Sequence, residues 1–282
     1  MYIDSVMNYT GSKFKLLNQL LPEFDYNKGI FVDVFCGGGS VYANVVDKYD
    51  KIIINDIIKE LIGIHKGIIE SDLIIDDTKK LCETLKESQE DFLKLRENYN
   101  NNPTPAGLWA LILSCNSNLM RFNQKGKFNQ TWGKRSFNIS TEKKVKSFTE
   151  HIRKYSDKIY FKSGSFSEIE IKSDTFYYLD PPYAFIKNDD GEIGNKQISE
   201  AGYNSYYYKD DDINLRNFCH KINDIGSTFV ISGVLEHGGK TTWILDKLIK
   251  DGFSVKELNF DYERVNKTNQ SKNTKEVIIK NF

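Results

Sequence analysis

The sequence predicts an α/β fold in which a doubly wound, mostly parallel sheet is interrupted by a long helical insert. Three observations support this prediction. The apolar run GIFVDVF leads into the glycine-rich turn CGGGS, and a second apolar run, KIIIND, follows and ends in an acid. Residues 60–100 then carry apolar side chains at helical spacing. Strand-like apolar runs resume near residue 159, as expected when an insert divides a sheet.

The first strand is predicted over Ile30–Phe35, and the turn over Cys36–Ser40. A helix is expected after the turn, because a strand, a glycine turn and a helix open many α/β sheets. The second strand is predicted over Lys51–Asn55, with Asp56 at its end.

The insert is predicted to occupy residues 61–155, so that residues 1–60 and 156–282 form one discontinuous domain around it. The run LWALILSCNSNLM is typical of a buried helix. The stretch NQKGKFNQTWGK has Gly126 and Gly133 around short extended pieces, which favours a hairpin or an exposed loop.

After the insert, strands are predicted in KIYFKSGSF, DTFYYLD and STFVISG. Helices are predicted at residues 209–225 and in KTTWILDKLIKDG. The last residues predict two strands joined by a polar loop, which is the pattern of a closing antiparallel hairpin.

Composition excludes several classes of protein. With 39% hydrophobic and 28% charged residues, the chain is typical of soluble globular proteins. The four cysteines lack the spacing of a zinc site, and we expect a reducing cytoplasm. No apolar run approaches the roughly 18 residues of a membrane span, and no secretion signal is recognisable. The net charge is zero, yet residues 121–135 carry five basic and no acidic side chains, which can present a basic face to phosphates.

The glycine turn and the following acid form the first candidate site. Glycines such as Gly37 and Gly38 permit positive φ and a close approach of the backbone to a ligand. Asp56 lies nineteen residues beyond Gly37, where an acid can bind the hydroxyls of a ribose. A tight turn and an unrelated surface acid would give the same pattern. The turn offers little room for a pyrophosphate, so S-adenosylmethionine (SAM) is the favoured cofactor.

The second candidate site is the corner Asp180-Pro181-Pro182-Tyr183, which follows the apolar run FYYL. Neither proline can donate to a strand ladder, so the chain must leave the sheet here. The carboxylate of Asp180 and the carbonyl of Pro181 can accept both hydrogens of an exocyclic amine, while Tyr183 stacks on its ring. The alternative is a rigid exit from a strand whose acid caps a neighbouring group.

Several segments, in this order, resemble the DNA adenine-N6 methyltransferases, and more narrowly the phage and bacterial Dam group. They are YTGSK (9–13), VDVFCGGGSV (32–41), IIINDI (52–57), EDFLKLRENYN (90–100), SNLMRFNQKGKFN (117–129), WGKR (132–135), YLDPPY (178–183) and SGVLEHGGK (232–240). The resemblance implies a Rossmann-like, SAM-dependent methyltransferase sheet with a target-recognition domain as the insert. The Asp-Pro-Pro-Tyr motif alone would also admit N4-cytosine, RNA and protein amide methyltransferases.

The resemblance also implies roles for individual residues. The implied catalytic residues are Asp180, Pro181, Pro182 and Tyr183. The implied cofactor-binding residues are Tyr9, Lys13, Phe35, Cys36, Gly37, Gly38, Asp56, Phe166 and Asp180. The implied DNA-binding residues are Ser117, Leu119, Arg121, Asn123, Lys134 and Arg135.

The implied function is transfer of a methyl group from SAM to adenine N6 in double-stranded DNA, at GATC, with the target base flipped out and no metal. No membrane association and no obligatory protein partner are expected, and the setting is the cytoplasm of a bacterial or phage-infected cell. The alternatives are an N4-cytosine or RNA methyltransferase and a catalytically silent DNA-binding homologue. The tyrosine-rich, acidic stretch 184–212 departs from the family pattern, and His65, His151 and His220 receive no role.

Overall fold

The computed structural model of the protein describes residues 2–7, 9, 11–85, 88–182, 185–187, 192–197, 207, 209–259 and 274–282. These residues form eight α-helices: α1 (Leu17–Leu20), α2 (Lys59–Glu70), α3 (Leu73–Thr84), α4 (Gln89–Asn101), α5 (Pro105–Ser114), α6 (Ile139–Ile152), α7 (Lys209–Asp224) and α8 (Trp243–Lys250). They also form ten strands: β1 (Ile30–Asp33), β2 (Lys51–Asp56), β3 (Ile159–Ser163), β4 (Thr175–Leu179), β5 (Phe185–Lys187), β6 (Ile193–Gln197), β7 (Thr228–His237), β8 (Lys240–Thr241), β9 (Ser254–Leu258) and β10 (Thr274–Lys280).

The chain divides into two compact units. The first comprises Met1–Lys15 and Cys36–Gly164, and the second comprises Leu16–Phe35 and Ser165–Phe282. The first unit therefore contains the glycine turn, β2 and the helical insert together. This is a structural division, and the functional domains expected from the sequence remain a prediction.

In the first unit, β2 and β3 pair in parallel with Ile52 opposite Ile159 and Asp56 opposite Ser163. Helix α2 follows β2 and packs on both strands, as well as on α3 and α5. Helix α5 begins with Thr104 as its N-cap and Pro105 in its first turn, which are favoured residues at those positions. Because α2, α3 and α4 all pack around it, α5 is buried from Gly107 to Ser114, as its sequence predicts.

In the second unit, the strand order is β1-β4-β7-β10-β9. The pairs β1–β4 and β4–β7 are parallel, whereas β7–β10 and β10–β9 are antiparallel. The predicted α/β fold with a parallel sheet and a closing antiparallel pair is confirmed. Strands β5 and β6 form a separate antiparallel pair, and α7 packs on α8 and β7.

The segment after the glycine turn differs from its prediction. Where a helix is expected, the chain forms only a short 3-10 turn over Tyr42–Asn44. Three β-branched residues, Val41, Val45 and Val46, lie in this short stretch between the turn and β2, and β-branching lowers helix propensity. All three valines are buried, so packing and not helix formation decides the local conformation.

No helix among the described residues is long and apolar enough to span a bilayer.

Candidate functional site

The glycine turn, residues 36–40, is called the glycine loop below. Gly37 and Gly39 have φ angles of 47° and 80°, in the left-handed region that favours glycine. The Cys36 N–H donates to the carbonyl of Asn55 at 2.9 Å, which joins the start of the loop to β2. The positive φ angles predicted for this turn are therefore confirmed.

The groups that approach the glycine loop closely are the chain's own side chains. A Cβ placed on Gly37 would lie 2.8 Å from Cε1 of Tyr9, and one on Gly38 would lie 2.8 Å from both Oγ of Ser5 and Cβ of Tyr9. Ser5 also donates its hydroxyl proton to the Gly38 carbonyl at 2.6 Å. Tyr9, Gly37 and Gly38 thus lie together. Tyr9 packs so close to Gly37 and Gly38 that neither position has room for a side chain, a constraint that the sequence alone does not show.

Lys13 is the other predicted cofactor residue of the N-terminal motif. Its side chain is 2% exposed, and its Nζ donates to the carbonyl of Gly11 at 3.2 Å. A buried lysine is uncommon, because its charge must be compensated by polar groups. Its amine is held within the turn of its own motif.

Asp56 ends β2 and accepts two main-chain hydrogen bonds. Its Oδ2 accepts from the Gly37 N–H at 3.1 Å, and its Oδ1 accepts from the Ile58 N–H at 3.0 Å. Burial raises the pKa of the Asp56 carboxyl from 3.8 to about 6, although both N–H groups favour the ionised form. The structure thus brings Asp56 against Gly37, as the sequence predicts.

The residues of this unit fit a nucleoside cofactor. An ionised carboxylate has about four acceptor positions, so the two main-chain bonds of Asp56 leave acceptor capacity for ribose hydroxyls. The loop between Cys36 and Ser40 is tight and glycine-lined, in keeping with a cofactor that lacks a pyrophosphate.

His65, which received no role from the sequence, contacts the glycine loop. It lies on α2, is fully buried, and its Nε2 lies 2.8 Å from the Gly37 carbonyl oxygen. A histidine in the middle of an amphipathic helix carries no local signal of such a contact. Only the packing of α2 beneath the glycine loop reveals it.

In the second unit, Asp180 follows the last residue of β4, a strand whose five residues are all buried. Because Leu179 lies opposite Ile231 in the parallel register, Asp180 is adjacent to Ser232 of β7. The Ser232 hydroxyl makes a long hydrogen bond of 3.5 Å to Asp180 Oδ1, and a shorter one of 2.8 Å with the Tyr178 hydroxyl. Ser232 and Tyr178 thus adjoin the Asp180 corner, although the sequence assigned neither of them a role.

The two prolines follow this acid at the edge of the sheet. Pro181 is buried and Pro182 is half-buried, so the chain leaves β4 along a constrained path. Tyr183, the predicted stacking residue of the corner, lies outside the described residues. So do Tyr203, Tyr206 and Tyr208 of the long stretch that follows.

Phe35 and Phe166, which were both predicted to contact the cofactor, lie together. Their ring centroids are 5.6 Å apart, and Phe166 also makes an edge contact with Phe218 of α7 at 5.9 Å. Phe166 is 4% exposed, and it follows β3 in a short 3-10 turn capped by Ser165. The two ring planes are inclined at 44°, and Phe35 is the more exposed of the pair, so its ring is the apolar face available to a ligand.

The basic segment of the insert, residues 115–135, is called the basic hairpin below. Isolated antiparallel bridges join Phe122 to Phe128 and Cys115 to Trp132, so the hairpin predicted from the glycines is confirmed. Asn123 closes its tip, because its Oδ1 accepts from the N–H groups of Lys125 and Lys127.

Two arginines of the basic hairpin have asparagine partners. Arg121 donates through Nε to Asn129 Oδ1 at 2.9 Å, and Arg135 donates through one Nη to Asn118 Oδ1 at 2.7 Å. Asn118 is anchored in turn by two bonds from its amide to the carbonyls of Ile112 and Leu113. Each guanidinium keeps further N–H groups beyond these bonds.

Ser117, Leu119 and Lys134 complete the predicted DNA-binding set. Ser117 and Lys134 are exposed and have left-handed φ angles of 58° and 55°, which non-glycine residues seldom adopt. Leu119 is partly exposed, as an apolar side chain that inserts between bases must be.

Helix α4 holds the basic hairpin from one side. The Asn100 side chain donates to the Phe128 carbonyl at 3.0 Å and accepts from the Phe128 N–H at 2.7 Å. One turn earlier, Arg96 donates to the Gln130 carbonyl at 3.0 Å. The four-residue spacing on the helix thus matches alternate residues of an extended strand.

No group of three or more His, Cys, Asp or Glu side chains suited to a metal ion occurs among the residues that the structure describes.

Comparison with known proteins identifies the family. Residues 9–264 match the model of the D12 class N6 adenine-specific DNA methyltransferases. The chain is 33% identical to the modification methylase StsI of Streptococcus sanguinis and 28% identical to the type II methyltransferase M.FokI of Planomicrobium okeanokoites, each over 100% of this chain and 43% of the relative. It is 27% identical to the DNA adenine methylase of Serratia marcescens, over 63% of this chain and 66% of that protein.

The chain spans less than half the length of the first two relatives. The family match nevertheless covers nearly all of this chain, including the glycine loop, the basic hairpin and the Asp180 corner. The chain therefore belongs to the D12 class N6 adenine-specific DNA methyltransferase family, as its motifs predict.

Proposed function

We propose that this chain methylates N6 of adenine in double-stranded DNA and takes the methyl group from SAM. The observation that carries the proposal is the position of Asp180 at the end of β4, followed directly by two prolines and hydrogen-bonded to Ser232. Within an adenine-N6 methyltransferase family, such an acceptor is suited to bind the hydrogens of an exocyclic amine.

The chemistry is an in-line displacement at carbon. SAM would supply the methyl group: the amine nitrogen would bond to the methyl carbon as the carbon–sulfur bond breaks with its electron pair going to sulfur, and the nitrogen would then release a proton to water. Asp180 and the Pro181 carbonyl accept the two N–H groups, which turns the nitrogen lone pair toward the methyl group and stabilises the positive charge that develops on nitrogen. Tyr183 stacks on the base.

The other chain residues hold the cofactor. Asp56 accepts the ribose hydroxyls, and Phe35 and Phe166 provide apolar contacts for the adenine ring. Tyr9 and Lys13 complete the site through the N-terminal motif, with the Lys13 amine as the partner of the methionine carboxylate.

On the DNA side, we propose that the basic hairpin contacts the duplex. Arg121, Asn123 and Arg135 contact base edges, Lys134 contacts a phosphate, and Leu119 enters the space that the flipped adenine leaves. Extrusion of the base costs a few kcal/mol, which these contacts must offset. The proposed target is GATC, from the resemblance to the Dam group, and the proposed setting is a bacterial or phage-infected cytoplasm.

One observation argues against GATC as the target sequence. The similarity to StsI and M.FokI extends over the whole chain, whereas the similarity to the Serratia DNA adenine methylase covers 63% of it. A target other than GATC is therefore the second candidate. Sequencing of adenine methylation in a plasmid grown with the gene in a host that lacks adenine methylation separates the two, because methylation confined to GATC supports the first and methylation at another motif supports the second.

The proposal itself is tested by transfer of a tritiated methyl group to adenine-containing duplexes. Asp180→Ala is expected to reduce transfer by at least about 10³-fold, because it removes the acceptor of the reacting amine, while SAM binding measured by calorimetry is largely retained. Asp224→Ala, at an exposed position on α7, is the matched control and is expected to behave as the wild type. Full activity of Asp180→Ala, or transfer to adenine-free duplexes or RNA instead, would reject the proposal, and absent transfer by the wild type would indicate a silent homologue.

A further inference from the structure

His65 lies on α2 directly beneath the glycine loop and makes two hydrogen bonds. Its Nε2 lies 2.8 Å from the Gly37 carbonyl oxygen, and its Nδ1 lies 3.0 Å from the Tyr42 hydroxyl. Both side chains are fully buried. The two rings are perpendicular, with centroids 5.4 Å apart.

The partners of this imidazole determine its tautomer. A carbonyl oxygen can only accept, so Nε2 must carry the proton and donate to Gly37. Nδ1 is then an acceptor, and the Tyr42 hydroxyl donates to it. Burial lowers the pKa of His65 from 6.5 to about 4, so the ring is neutral at physiological pH.

Gly37 is thereby held on both sides. Its N–H donates to Asp56 Oδ2 at 3.1 Å, while its carbonyl accepts from His65. In a trans peptide, the carbonyl and the following N–H point in opposite directions. The bond from His65 therefore directs the Gly38 N–H away from α2, and this N–H has no acceptor among the residues that the structure describes.

The hydrogen bond from His65 is needed because the peptide that it holds lies between two glycines. Because Gly37 adopts a positive φ and glycine has few steric limits, the peptide between Gly37 and Gly38 can rotate unless a partner holds it. The absence of a side chain at the neighbouring Gly39 leaves room for the rings of His65 and Tyr42. A Cβ there would lie 2.5 Å from Cε1 of Tyr42 and 2.7 Å from Cε1 of His65.

We propose that His65, oriented by Tyr42, is a positioning residue of the cofactor site: its Nε2–H fixes the peptide between Gly37 and Gly38 so that the Gly38 N–H faces SAM as a hydrogen-bond donor. The inference rests on the proposed use of SAM. It does not involve the Asp180 corner. In this inference His65 maintains the conformation of the glycine loop and contacts neither SAM nor DNA.

The tautomer can be measured on the wild-type protein without any variant. Long-range ¹H–¹⁵N correlation spectra of the histidine rings should show His65 with the proton on Nε2 throughout pH 6–8, a range that lies above its pKa of about 4. A proton on Nδ1 in the folded protein would overturn the inference, because Nε2 could then not donate to Gly37.

Variants test the consequence by calorimetric titration of SAM in the absence of DNA. His65→Leu removes the donor, and we expect it to weaken SAM binding by about tenfold, the loss of one buried hydrogen bond. His65→Gln retains an N–H of similar reach and should recover most of the affinity. Tyr42→Phe leaves the ring in place but frees its tautomer, and we expect a loss of about threefold together with a mixed tautomer signal.

His151→Gln is the matched control, because His151 also contacts a main-chain carbonyl, that of Ala43 at 2.9 Å, outside the glycine loop. Its SAM affinity should equal that of the wild type. In saturating SAM, the methyl transfer rate of Tyr42→Phe should equal that of the wild type, whereas its KM for SAM should rise.

The outcomes separate the two proposals. If the wild type fails to bind SAM, the proposed function fails and the inference with it. If the wild type binds SAM, wild-type SAM affinity in folded Tyr42→Phe and His65→Leu, together with a wild-type tautomer in Tyr42→Phe, overturns the inference alone. A variant of His65 that fails to fold leaves the wild-type tautomer and Tyr42→Phe to decide.

Discussion

The glycine loop and the basic hairpin are both irregular stretches of backbone, but they are held in different ways. The glycine loop is bonded by Ser5, Asp56 and His65, whose exposures are 1%, 8% and 0%. The basic hairpin is held by Arg96 and Asn100 of α4, which are partly exposed. A buried polar group that loses its partner costs more than one that water can reach. The glycine loop should therefore be the stiffer of the two, and the basic hairpin the more easily deformed.

Among the variants that test this difference between the glycine loop and the basic hairpin, Gly133→Ala is expected to have the largest effect. A Cβ at this position would collide with the main chain of Cys115, on the opposite side of the basic hairpin, and a main chain cannot rotate away as a side chain can. We expect a loss of about 3 kcal/mol in the free energy of unfolding and strongly reduced DNA binding. Denaturant titration and DNA binding measure both, and SAM binding should persist.

Gly233→Ala is its control, because the added Cβ would meet only the end of the Leu245 side chain at 3.1 Å. Equal stabilities of the two variants would show that the basic hairpin yields to the added methyl group.

Asn100→Ala is expected to have the next largest effect. It removes both hydrogen bonds to the Phe128 main chain and leaves two polar groups to find water, at a cost of about 1–3 kcal/mol. DNA affinity should fall while SAM affinity is unchanged. The neighbouring exposed Asn101→Ala should alter neither quantity, and a matching loss of SAM affinity in Asn100→Ala would argue against independent regions.

A pH titration addresses the glycine loop. Because the Asp56 pKa is raised to about 6, its carboxylate becomes protonated as the pH falls through 6 and loses acceptor capacity. We expect the Kd for SAM to rise below pH 6 by up to about tenfold per pH unit, which corresponds to roughly 1.4 kcal/mol.

Asp56→Asn should bind SAM weakly and without this pH dependence. The same raised pKa means that the buried charge disfavours the folded state above pH 6, and that this cost disappears below the unfolded pKa of about 3.9. A pH-independent Kd in the wild type would show that Asp56 does not bind the ribose.

Lys125→Ala should have the smallest effect. Lys125 is exposed at the tip of the basic hairpin, where it can contact a phosphate without reading a base. We expect a uniform loss of DNA affinity of less than about 1 kcal/mol and a salt dependence reduced by about one counterion. Lys146→Ala, on the exposed face of α6, is the control. A loss confined to one DNA sequence would make Lys125 a base contact.

The motif residues were recognisable in the sequence because their requirements are local. Positive φ at Gly37 needs glycine, and Pro181 and Pro182 cannot extend a ladder, so each leaves a mark in the order of residues. Helix α5 was recognisable from its cap and its apolar run. The prediction of a helix after the glycine loop was wrong. The burial of three valines decides the conformation there, and it differs from the helix that usually follows a glycine turn in an α/β unit.

The sequence by itself determined the order of the motifs along the chain: a strand, the glycine loop, the acid Asp56 and the Asp-Pro-Pro corner. That order identified the family and the candidate residues for binding the cofactor and the amine. Only the tertiary structure decided which side chains hold them: His65 under Gly37, Ser232 beside Asp180 and Asn100 against Phe128. Each of these pairs joins residues at least 28 positions apart in the chain. Such contacts depend on how helices and strands pack, and the packing of distant elements leaves no periodic or local signature in the sequence.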